Sequence, residues 1–377
     1  MSKKILITGG AGFIGSNLAL KLIAQGYHVR VLDNLSEQIH EKPEESFLYN
    51  SIKNKVDFIL GDVTNPKDWE TALKEQEIVV HLAAETGTGQ SMYEVSKYFN
   101  VNINGTAHLI DLLTNSKHSV QKLIVASSRA IYGEGKYYCQ EHGNVYPEIR
   151  KDENMQKVDF ECKCPICNAN VKLLPTDETS AIHPNSYYGL TKQMQEQMVL
   201  LAGKTLAIPA IALRYQNVYG PGQSLSNPYT GILAIFSTLI RNKQNINVFE
   251  DGKESRDFVY IDDVVNATIL AIESKTINNE ALNIGSGQAT TVEFIAKKLE
   301  ELNNSTIDIN ISGNYRLGDI RHNIADLTRA NKTLNYSPSF SFEQGIELFN
   351  DWVNKQQIQK SNYEKSIKEL KDKGLFK

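Results

Sequence analysis

A tyrosine and a lysine four residues apart are the clearest chemical pair in the sequence. Tyr188 and Lys192 lie in a stretch with helical character, where a spacing of four places both side chains on one face. A free tyrosine has a pKa of about 10, but a neighbouring ammonium group favours the phenolate and lowers that pKa. The pair is therefore a candidate general acid and base, although the same spacing also occurs on ordinary helix surfaces.

Three glycines near the N-terminus form a candidate dinucleotide site. Gly9, Gly12 and Gly15 follow the apolar run at residues 4–8 and open a helical pattern at residues 13–25. Glycine in such a turn lets the backbone approach a pyrophosphate, whose charge then lies at the helix N-terminal N–H groups. A tight turn without a ligand is the alternative, but the strand before and the helix after favour the dinucleotide interpretation.

Asp33 ends the second strand-like run and is the candidate ribose ligand. Its carboxylate would accept hydrogen bonds from the adenosine ribose hydroxyls, and a simple strand-end cap is the alternative. A 2′-phosphate would meet the negative charge of Asp33, and no arginine directly follows it. The pattern therefore favours NAD over NADP.

All four cysteines of the chain fall within one short segment. Cys139 and His142 are spaced as one two-ligand knuckle, and Cys164 and Cys167 as another, which predicts one structural zinc ion. Cys162 could replace His142 as the fourth ligand. Free thiols or a disulfide are the alternatives, and a catalytic zinc is disfavoured because four protein ligands leave no open position.

The elements that must position these residues alternate between strand-like and helical patterns. Such alternation predicts an α/β fold, a Rossmann-like doubly wound parallel sheet. A helix is predicted over residues 187–201, which contain the tyrosine and lysine, and an apolar helix near 231–240. The strand-like runs are residues 4–8, 28–32, 56–60, 78–82, 123–127 and 208–215.

Composition and charge exclude several classes of protein. The 377 residues are 41% hydrophobic and 22% charged, which is ordinary for a globular protein and excludes disorder as the main state. A formal net charge of −4 argues against a nucleic-acid partner. We expect no membrane span and no signal peptide, and the confined cysteines indicate a reducing, cytoplasmic location.

Joined together, these residues resemble the extended short-chain dehydrogenase/reductase family, and within it the nucleotide-sugar epimerases and dehydratases. The resemblance covers nearly the whole chain to about residue 350. The motifs that carry it are Gly9-x-x-Gly12-x-x-Gly15, Asp62-Val63, His81-Leu82-Ala83-Ala84, Asn102-x-Asn104-Gly105-Thr106, Ser127-Ser128, Tyr132-Gly133, Tyr188-x-x-x-Lys192, Leu213-Arg214-Tyr215-x-Asn217-Val218-Tyr219-Gly220-Pro221-Gly222, Arg256-Asp257-Phe258-Val259 and Arg316-x-Gly318-Asp319.

The resemblance implies a role for each catalytic and cofactor residue. Ser128 would hold a substrate hydroxyl, Tyr188 would be the acid and base, and Lys192 would bind the nicotinamide ribose. The residues implied to contact NAD are Gly9, Gly12, Phe13, Ile14, Gly15, Asp33, Asn34, Asp62, Val63, Leu82, Ala83, Ala84, Asn102, Ser127, Tyr188, Lys192 and Tyr215.

The resemblance also implies a substrate clamp. Asn217, Arg256 and Arg316 would hold the diphosphate of a nucleotide sugar, a task suited to the planar, bidentate guanidinium group. Each of these residues has an ordinary alternative: Asn217 as a turn residue, and Arg256 as half of a surface ion pair with Asp257. His81 and His183 have no base role in this family and are interpreted as structural.

The residues after Ser128 favour epimerisation over dehydration. Dehydratases of the family carry an Asp-Glu pair there, whereas this chain has Arg129 and Ala130, neither of which can serve as an elimination acid or base. A net reductase would need NADPH, which Asp33 disfavours. The resemblance thus implies a redox-neutral 4-epimerase, in which Tyr188 takes the proton from the sugar 4-hydroxyl while the C4 hydride moves to NAD.

A narrower resemblance concerns the substrate. Residues 215–231 and the cysteine-containing insert are similar to those of the dTDP-L-rhamnose 4-epimerases, which make dTDP-6-deoxy-L-talose. A UDP-glucose or other UDP-hexose 4-epimerase remains the first alternative. A non-catalytic dinucleotide-binding sensor, with the insert as a redox or metal switch, is the second.

The domain organisation follows from the same comparison. We predict an NAD-binding domain at residues 1–215, interrupted by the cysteine-rich insert at 134–176, and a smaller α/β nucleotide-sugar-binding domain at 216–350. Segments near 257–286 would return to the first domain, and 351–377 would form a charged tail, either a solvated helix or partly disordered, without chemistry. By analogy with the family, helices at residues 95–113 and 184–201 would form a homodimer interface.

Overall fold

The strands coincide with the short apolar and β-branched runs of the sequence. The structure is a computed structural model that describes residues 3–40, 42–227, 229, 231–358, 361 and 363–377. In chain order the described strands are β1 (Lys4–Thr8), β2 (His28–Asp33), β3 (Asp57–Leu60), β4 (Ile78–His81), β5 (Lys122–Ser128), β6 (Tyr137–Cys139), β7 (Gly143–Val145), β8 (Lys172–Leu173), β9 (Ala210–Tyr215), β10 (Asn217–Tyr219), β11 (Ile246–Val248), β12 (Ser255–Tyr260), β13 (Glu280–Ile284), β14 (Ala289–Thr291) and β15 (Ile309–Ile311).

Three of the longer helices, those beginning at Tyr187, Val292 and Phe342, follow a polar residue whose side-chain oxygen accepts a backbone N–H, as Ser186 does for Gly189. In chain order the described helices are α1 (Phe13–Ala24), α2 (Glu37–His40), α3 (Phe47–Ile52), α4 (Pro66–Ala72), α5 (Thr88–Ser91), α6 (Val95–Tyr98), α7 (Gly105–Asn115), α8 (Asp152–Met155), α9 (Tyr187–Thr205), α10 (Ile232–Arg241), α11 (Ile261–Glu273), α12 (Val292–Leu302), α13 (Thr328–Leu334), α14 (Phe342–Asn354) and α15 (Tyr363–Asp372). A π-helical turn, Phe99–Asn104, joins α6 to α7.

A parallel sheet of the order β13-β9-β5-β4-β1-β2-β3 forms the centre of the molecule. The chain winds outward from β1 in one direction and from β4 in the other, so the order reverses between these two strands. The predicted doubly wound α/β fold is confirmed. In such sheets ligands bind at the carboxyl ends of the strands beside the reversal, which is where the glycine turn after β1 lies.

Smaller sheets form the second layer of the chain. β10 and β12 pair in parallel and β14 joins β12 antiparallel, while β11 pairs with β15. Two elements from this part of the sequence pack with the central sheet instead: β13 extends its edge beside β9, and α11 packs against α1. The cysteine-rich segment contributes its own antiparallel sheet, in the order β7-β6-β8.

Buried ion pairs fasten the cysteine-rich segment to the second layer. The Arg150 guanidinium donates two hydrogen bonds to the carboxylate of Glu250, at 2.8 and 2.7 Å. Arg321, which is fully buried, donates to Glu161 at 2.6 and 3.0 Å and to Glu250 at 2.9 Å. Since Glu250 accepts from both arginines, the segment and the second layer share one connected ionic network.

The C-terminal tail differs from its sequence-based expectation. Residues 363–372 form α15, whose Ser366 and Leu370 are buried, and Phe376 beyond it is buried as well. The sparse apolar residues of the tail recur at helical spacing, so they form one packed face beneath a charged surface. Of the two expected forms, a solvated helix and partial disorder, the structure has a helix, but one face of it is packed against the protein. Residues 359, 360 and 362 lie outside those described. Among the described helices, none has the length and apolar character needed to cross a bilayer.

Candidate active site

Two cavities lie side by side at the carboxyl end of the central sheet. We call the first the glycine cavity, because the turn after β1 forms its floor. Most residues predicted to contact NAD line it: Gly9, Gly12, Phe13, Ile14, Gly15, Asp33, Asn34, Val63, Leu82, Ala83, Ala84, Ser127, Tyr188, Lys192 and Tyr215.

The glycine turn leaves no room for side chains. Gly9 has a φ of +67°, and a Cβ there would lie 2.8 Å from the backbone nitrogen of Ala83. A Cβ on Gly15 would lie 2.4 Å from the carbonyl oxygen of Gly9, so a side chain would force α1 away from β1. Gly12 is the N-cap of α1 and supplies no side-chain cap. The turn thus leaves the N-terminus of α1 facing the cavity, and it fits the pyrophosphate of a dinucleotide.

Asp33 braces the glycine turn from the end of β2. Its Oδ2 accepts the N–H of Ala11 and its Oδ1 the N–H of Leu35, both at 2.9 Å. Burial raises the pKa of the Asp33 carboxyl, and these two hydrogen bonds oppose that rise. Each oxygen keeps a further lone pair toward the cavity, so the carboxylate can both fix the loop and accept ribose hydroxyls.

Two predicted cofactor residues are absent from the described lining of the glycine cavity. Asp62 instead accepts hydrogen bonds from Asn34 at 2.8 Å and from the Thr64 backbone at 2.8 Å. Asn102 is buried in the π-helical turn, and its Nδ2 donates to Thr191 Oγ1 at 2.9 Å and to the Glu85 carbonyl at 3.1 Å. Both side chains position the lining instead of forming it, because neighbouring segments use their polar atoms.

The second cavity, which we call the arginine cavity, opens toward the smaller sheets. Ser128, Asn217, Arg256 and Arg316 line it, as expected for residues implied to bind substrate. Ser128 and Tyr188 line both cavities and therefore stand at their junction. A group held in one cavity and a group held in the other would meet at these two hydroxyls.

The electrostatics around Tyr188 differ from the sequence-based expectation. Burial raises the pKa of Tyr188, and the groups that oppose the rise are a hydrogen bond with Ser128 and the charge of Arg129. Lys192 lies further along α9, where its Nζ donates to Gln195 Oε1 at 2.8 Å, and burial lowers its pKa to about 7. Arg129, which sequence analysis treated only as the absence of a dehydratase acid, is therefore a cation that favours the phenolate.

A single carboxylate organises the arginines of the second cavity. Asp319 lies 2.9 Å from Arg316 and 3.5 Å from Arg256. Burial alone would raise the pKa of Asp319, but Arg316, Arg256 and Arg129 outweigh it and lower that pKa to about 2. Glu250 and Glu254 line the same cavity, and Glu250 is paired with Arg150 and Arg321. Around Asp319 itself, three guanidinium groups face one carboxylate, which is a local arrangement suited to a diphosphate.

The two predicted clamp arginines are not equally available. The Arg256 guanidinium donates to the backbone carbonyls of Ser255, Ile320 and Arg321 at 2.7–3.0 Å, so most of its donors are used within the protein. The Nε of Arg316, by contrast, is buried without a hydrogen-bond partner among the described residues. Arg316 is thus the better oriented of the two for an anionic ligand.

One polar residue of the site was missed by the motif. Gln216 lines both cavities, and neither the oxygen nor the nitrogen of its buried amide has a hydrogen-bond partner among the described residues. An orphaned buried amide is costly unless a ligand satisfies it. Gln216 occupies the unspecified position of the motif between Tyr215 and Asn217. The only sequence signal for a role in binding was its polar amide side chain.

The cysteine-rich segment brings its candidate metal ligands together. The ligand atoms of Cys139, His142, Cys164 and Cys167 all lie within 4.8 Å of one another. Cys139 Sγ is 3.6 Å from His142 Nδ1 and 3.7 Å from Cys167 Sγ, close to the ligand separations of about 3.5–3.8 Å in a tetrahedral zinc site. Cys162 lies apart from this cluster, with its thiol 3.4 Å from the Tyr137 hydroxyl.

Comparison with known proteins agrees with the fold and the site. The model of the NAD dependent epimerase/dehydratase family matches residues 5–151 and 167–285. A dTDP-L-rhamnose 4-epimerase from Burkholderia thailandensis is 38% identical over 355 residues, covering 93% of this chain and 95% of that protein.

Solved structures give the same result. A UDP-glucose 4-epimerase from Thermotoga maritima, in complex with UDP-glucose, has a TM-score of 0.74 and 31% identity, covering 93% of this chain and 99% of that one. A UDP-glucuronic acid 4-epimerase from Bacillus cereus, in complex with UDP-glucuronic acid and NAD, has a TM-score of 0.75 and 27% identity over the same shares.

The Rossmann-like sheet with its glycine turn and its Tyr188/Lys192 pair defines an extended short-chain dehydrogenase/reductase. The chain belongs to the NAD dependent epimerase/dehydratase family, and it is an NAD-dependent enzyme. The expected resemblance to nucleotide-sugar epimerases is confirmed.

We predict that Arg129→Met moves the acidic limb of the kcat–pH profile to higher pH. Removing a cation beside Tyr188 raises the pKa of the phenol, so a smaller fraction is phenolate at a given pH. Arg129→Lys keeps the charge and should keep the limb near its original position. An unchanged limb in Arg129→Met, measured by initial rates between pH 5 and 10, would contradict the assignment.

Proposed function

We propose that this enzyme is a 4-epimerase of nucleotide-diphosphate sugars, acting on dTDP-L-rhamnose to give dTDP-6-deoxy-L-talose. The observation that carries the reaction type is the placement of Tyr188 and Ser128 at the junction of the glycine and arginine cavities, next to Arg129 and Ala130. The tyrosine can move a proton between the two cavities, while no carboxylic acid follows Ser128 to eliminate water. A redox-neutral inversion at C4 needs the proton transfer by tyrosine and does not need an acid that eliminates water.

Each residue of the site has a separate role in the proposed reaction. Ser128 holds the sugar 4-hydroxyl, and Tyr188 takes its proton, as a phenolate stabilised by Arg129 and by the Ser128 hydroxyl. NAD, when bound, accepts the hydride from C4 and returns it to the other face. Arg316 retains the diphosphate while the 4-keto sugar turns, and Tyr188 then returns the proton.

Two substrate candidates rest on different observations. The 38% identity with the Burkholderia thailandensis protein, over nearly the full length of both chains, supports dTDP-L-rhamnose. The similarity to the Thermotoga maritima structure with UDP-glucose supports UDP-glucose as the second candidate. Part of the segment that suggested the rhamnose enzymes, residues 228 and 230, lies outside the described residues.

We expect NMR to show inversion at C4 when the enzyme is incubated with dTDP-L-rhamnose, and little change with UDP-glucose. Tyr188→Phe should lose nearly all turnover yet retain bound NAD, because the proton acceptor is removed while the glycine turn is intact. Tyr187→Phe is the matched control, since that side chain is exposed and outside the described cavity linings. Turnover of Tyr188→Phe within a few-fold of wild type would contradict the acid and base role of Tyr188. Preference of the wild type for UDP-glucose would contradict dTDP-L-rhamnose as the substrate.

We propose in addition that Cys139, His142, Cys164 and Cys167 bind one structural zinc ion in the reducing environment of the cytoplasm. The support is the near-tetrahedral separation of their ligand atoms. A small antiparallel sheet with few apolar residues around it gains folding free energy from such an ion.

Elemental analysis of protein prepared without chelator should give close to one zinc per chain. Cys164→Ser should lose the metal because it removes a ligand, whereas Cys162→Ser should keep it, because Cys162 lies outside the cluster. Less than about half an equivalent in the wild type would contradict the proposal, since structural sites bind zinc tightly. Loss of zinc in Cys162→Ser would instead identify Cys162, in place of His142, as the fourth ligand.

We further propose a homodimer built on α7 and α9. The outward face of α9 carries Tyr187, Met194, Met198 and Leu201, and Leu201 is 62% exposed. α7 packs beside α9 and would border the same interface, and an exposed apolar face on a monomer marks a candidate interaction site.

Light scattering at micromolar concentration should give twice the chain mass. Leu201→Glu should shift the protein to monomer by placing an unpaired charge in the interface. Leu348→Glu is the control, because Leu348 is 44% exposed but lies on α14. A monomeric wild type would refute the proposed interface.

A further inference from the structure

The C-terminal helix α15 forms one wall of the arginine cavity. Tyr363, Ser366, Ile367 and Leu370 line the cavity together with Arg316. Leu370 reaches the short helix α5, where its Cδ2 would touch a Cβ built on Gly89 at 3.9 Å. The tail is therefore part of the candidate substrate site, although its sequence pattern indicated only a solvated segment.

Hydrogen bonds and ring contacts fix α15 in this position. The carboxylate of Glu369 accepts the Tyr93 hydroxyl at 3.0 Å and the Tyr229 hydroxyl, and the two hydroxyls lie 2.7 Å apart. Beyond α15 the backbone of Lys377 exchanges two hydrogen bonds with that of Tyr315, at 2.9 and 3.0 Å. These contacts hold the C-terminal half of α15 and the residues after it, so this part of the tail is a defined wall.

A third cavity continues the arginine cavity past the diphosphate clamp, and we call it the C-terminal cavity. Asn247, Phe249, Tyr363 and Ile367 line both cavities, and Asn314 lines the C-terminal one. β11 ends at Val248, so Asn247 and Phe249 lie at the end of that strand, opposite α15. The space between β11 and α15 thus begins at the cationic clamp and leads away from Tyr188.

The lining combines four exposed charged side chains, Glu364, Lys368, Lys371 and Asp372, with aromatic, apolar and amide groups suited to a nucleoside. Phe249 lies 5.3 Å below the Arg316 guanidinium and 5.1 Å from the Phe376 ring, so its position is fixed by two neighbours. Phe249, Tyr363 and Ile367 offer apolar and aromatic surface to a flat heterocycle, while the Asn247 and Asn314 amides can bond to its polar edge.

Resting on the proposed function, we propose that α15 supplies half of the nucleoside subsite, with Tyr363 and Ile367 contacting the base or ribose of the nucleotide sugar opposite Phe249. The diphosphate clamp at Arg316 lies between this subsite and Tyr188, in the order in which a nucleotide sugar presents its parts. The tail is then a determinant of nucleotide affinity, separate from the chemistry at the sugar.

Calorimetry with dTDP alone tests the subsite without involving the sugar. Ile367→Ala and Tyr363→Ala should each weaken dTDP binding by about tenfold, the effect of losing one or two buried apolar groups. The KM for dTDP-L-rhamnose should rise by a similar factor, while kcat and the content of bound NAD stay within about threefold, because the hydride and proton positions are unchanged.

Two controls separate contact from folding. Ile367→Val retains most of the apolar surface and should bind dTDP nearly as the wild type does. Lys365→Ala alters an exposed position of α15 outside the described cavity linings and should leave binding unchanged.

Unchanged dTDP affinity in both Ile367→Ala and Tyr363→Ala, with wild-type protein that binds and turns over its substrate, would overturn the α15 proposal alone. A fall in kcat or bound NAD parallel to the fall in affinity would also overturn it, as a general structural effect. Wild-type protein that binds neither dTDP nor UDP would overturn the proposed function together with it.

Discussion

Ionising a tyrosine out of contact with bulk water is unfavourable, and the site places a cation beside Tyr188 that lowers this free-energy cost. Burial raises the pKa of Tyr188, and Lys192 is itself so buried that its pKa falls to about 7. A permanently charged group is therefore valuable beside the phenol, and Arg129 supplies one directly after Ser128. Asn217 Oδ1 accepts a hydrogen bond from Arg129 Nε at 3.1 Å, and the charge of nearby Asp319 favours the protonated guanidinium. Among the described residues Arg129 has no ion-pair partner within 4.0 Å, so its charge remains available to Tyr188.

The arginine cavity shares its supports with the cysteine-rich segment. Arg256 donates to the carbonyl of Arg321, and the Arg321 side chain is bonded to Glu161 of that segment. Arg150, from the same segment, donates to the carbonyl of Asp319 at 2.9 Å. Removing one partner from such a buried network leaves an uncompensated charge, which is far more destabilising than losing a surface pair. A metal that orders the segment would thereby also order the residues around Asp319.

The sequence predicted those parts whose signals are local. The order of strands, the glycine turn and the tyrosine–lysine helix each follow from contiguous patterns, and the bounds of the predicted strands and helices of the central sheet lie within four residues of the observed ones. The pairing of His142 with Cys139 was also a matter of spacing. The sequence could not show that Asp62 and Asn102 bond to neighbouring segments of the chain, because those hydrogen bonds depend on tertiary contacts. Gln216 was overlooked for the same reason: a buried amide without a partner is visible only after folding.

The tail was misjudged because its partners are distant in sequence. Glu369 is charged and lysines stand near it in the sequence, so the local pattern indicates solvent. Tyr93 and Tyr229 nevertheless bond to Glu369 from two other parts of the chain.

Residues 315–321, which carry Arg316 and Asp319, lie between the C-terminal tail and the cysteine-rich segment. On one side Tyr315 pairs with Lys377 of the tail, and on the other Arg321 bonds to Glu161 of the cysteine-rich segment. Asp152 joins the two sides, since it accepts the Tyr315 hydroxyl at 2.6 Å and pairs with Lys377. The segment that holds the proposed diphosphate clamp is thus positioned by the tail and the cysteine-rich segment more than by the central sheet. We therefore expect changes in either addition to alter substrate binding more than the proposed hydride and proton chemistry at β1, β5 and α9.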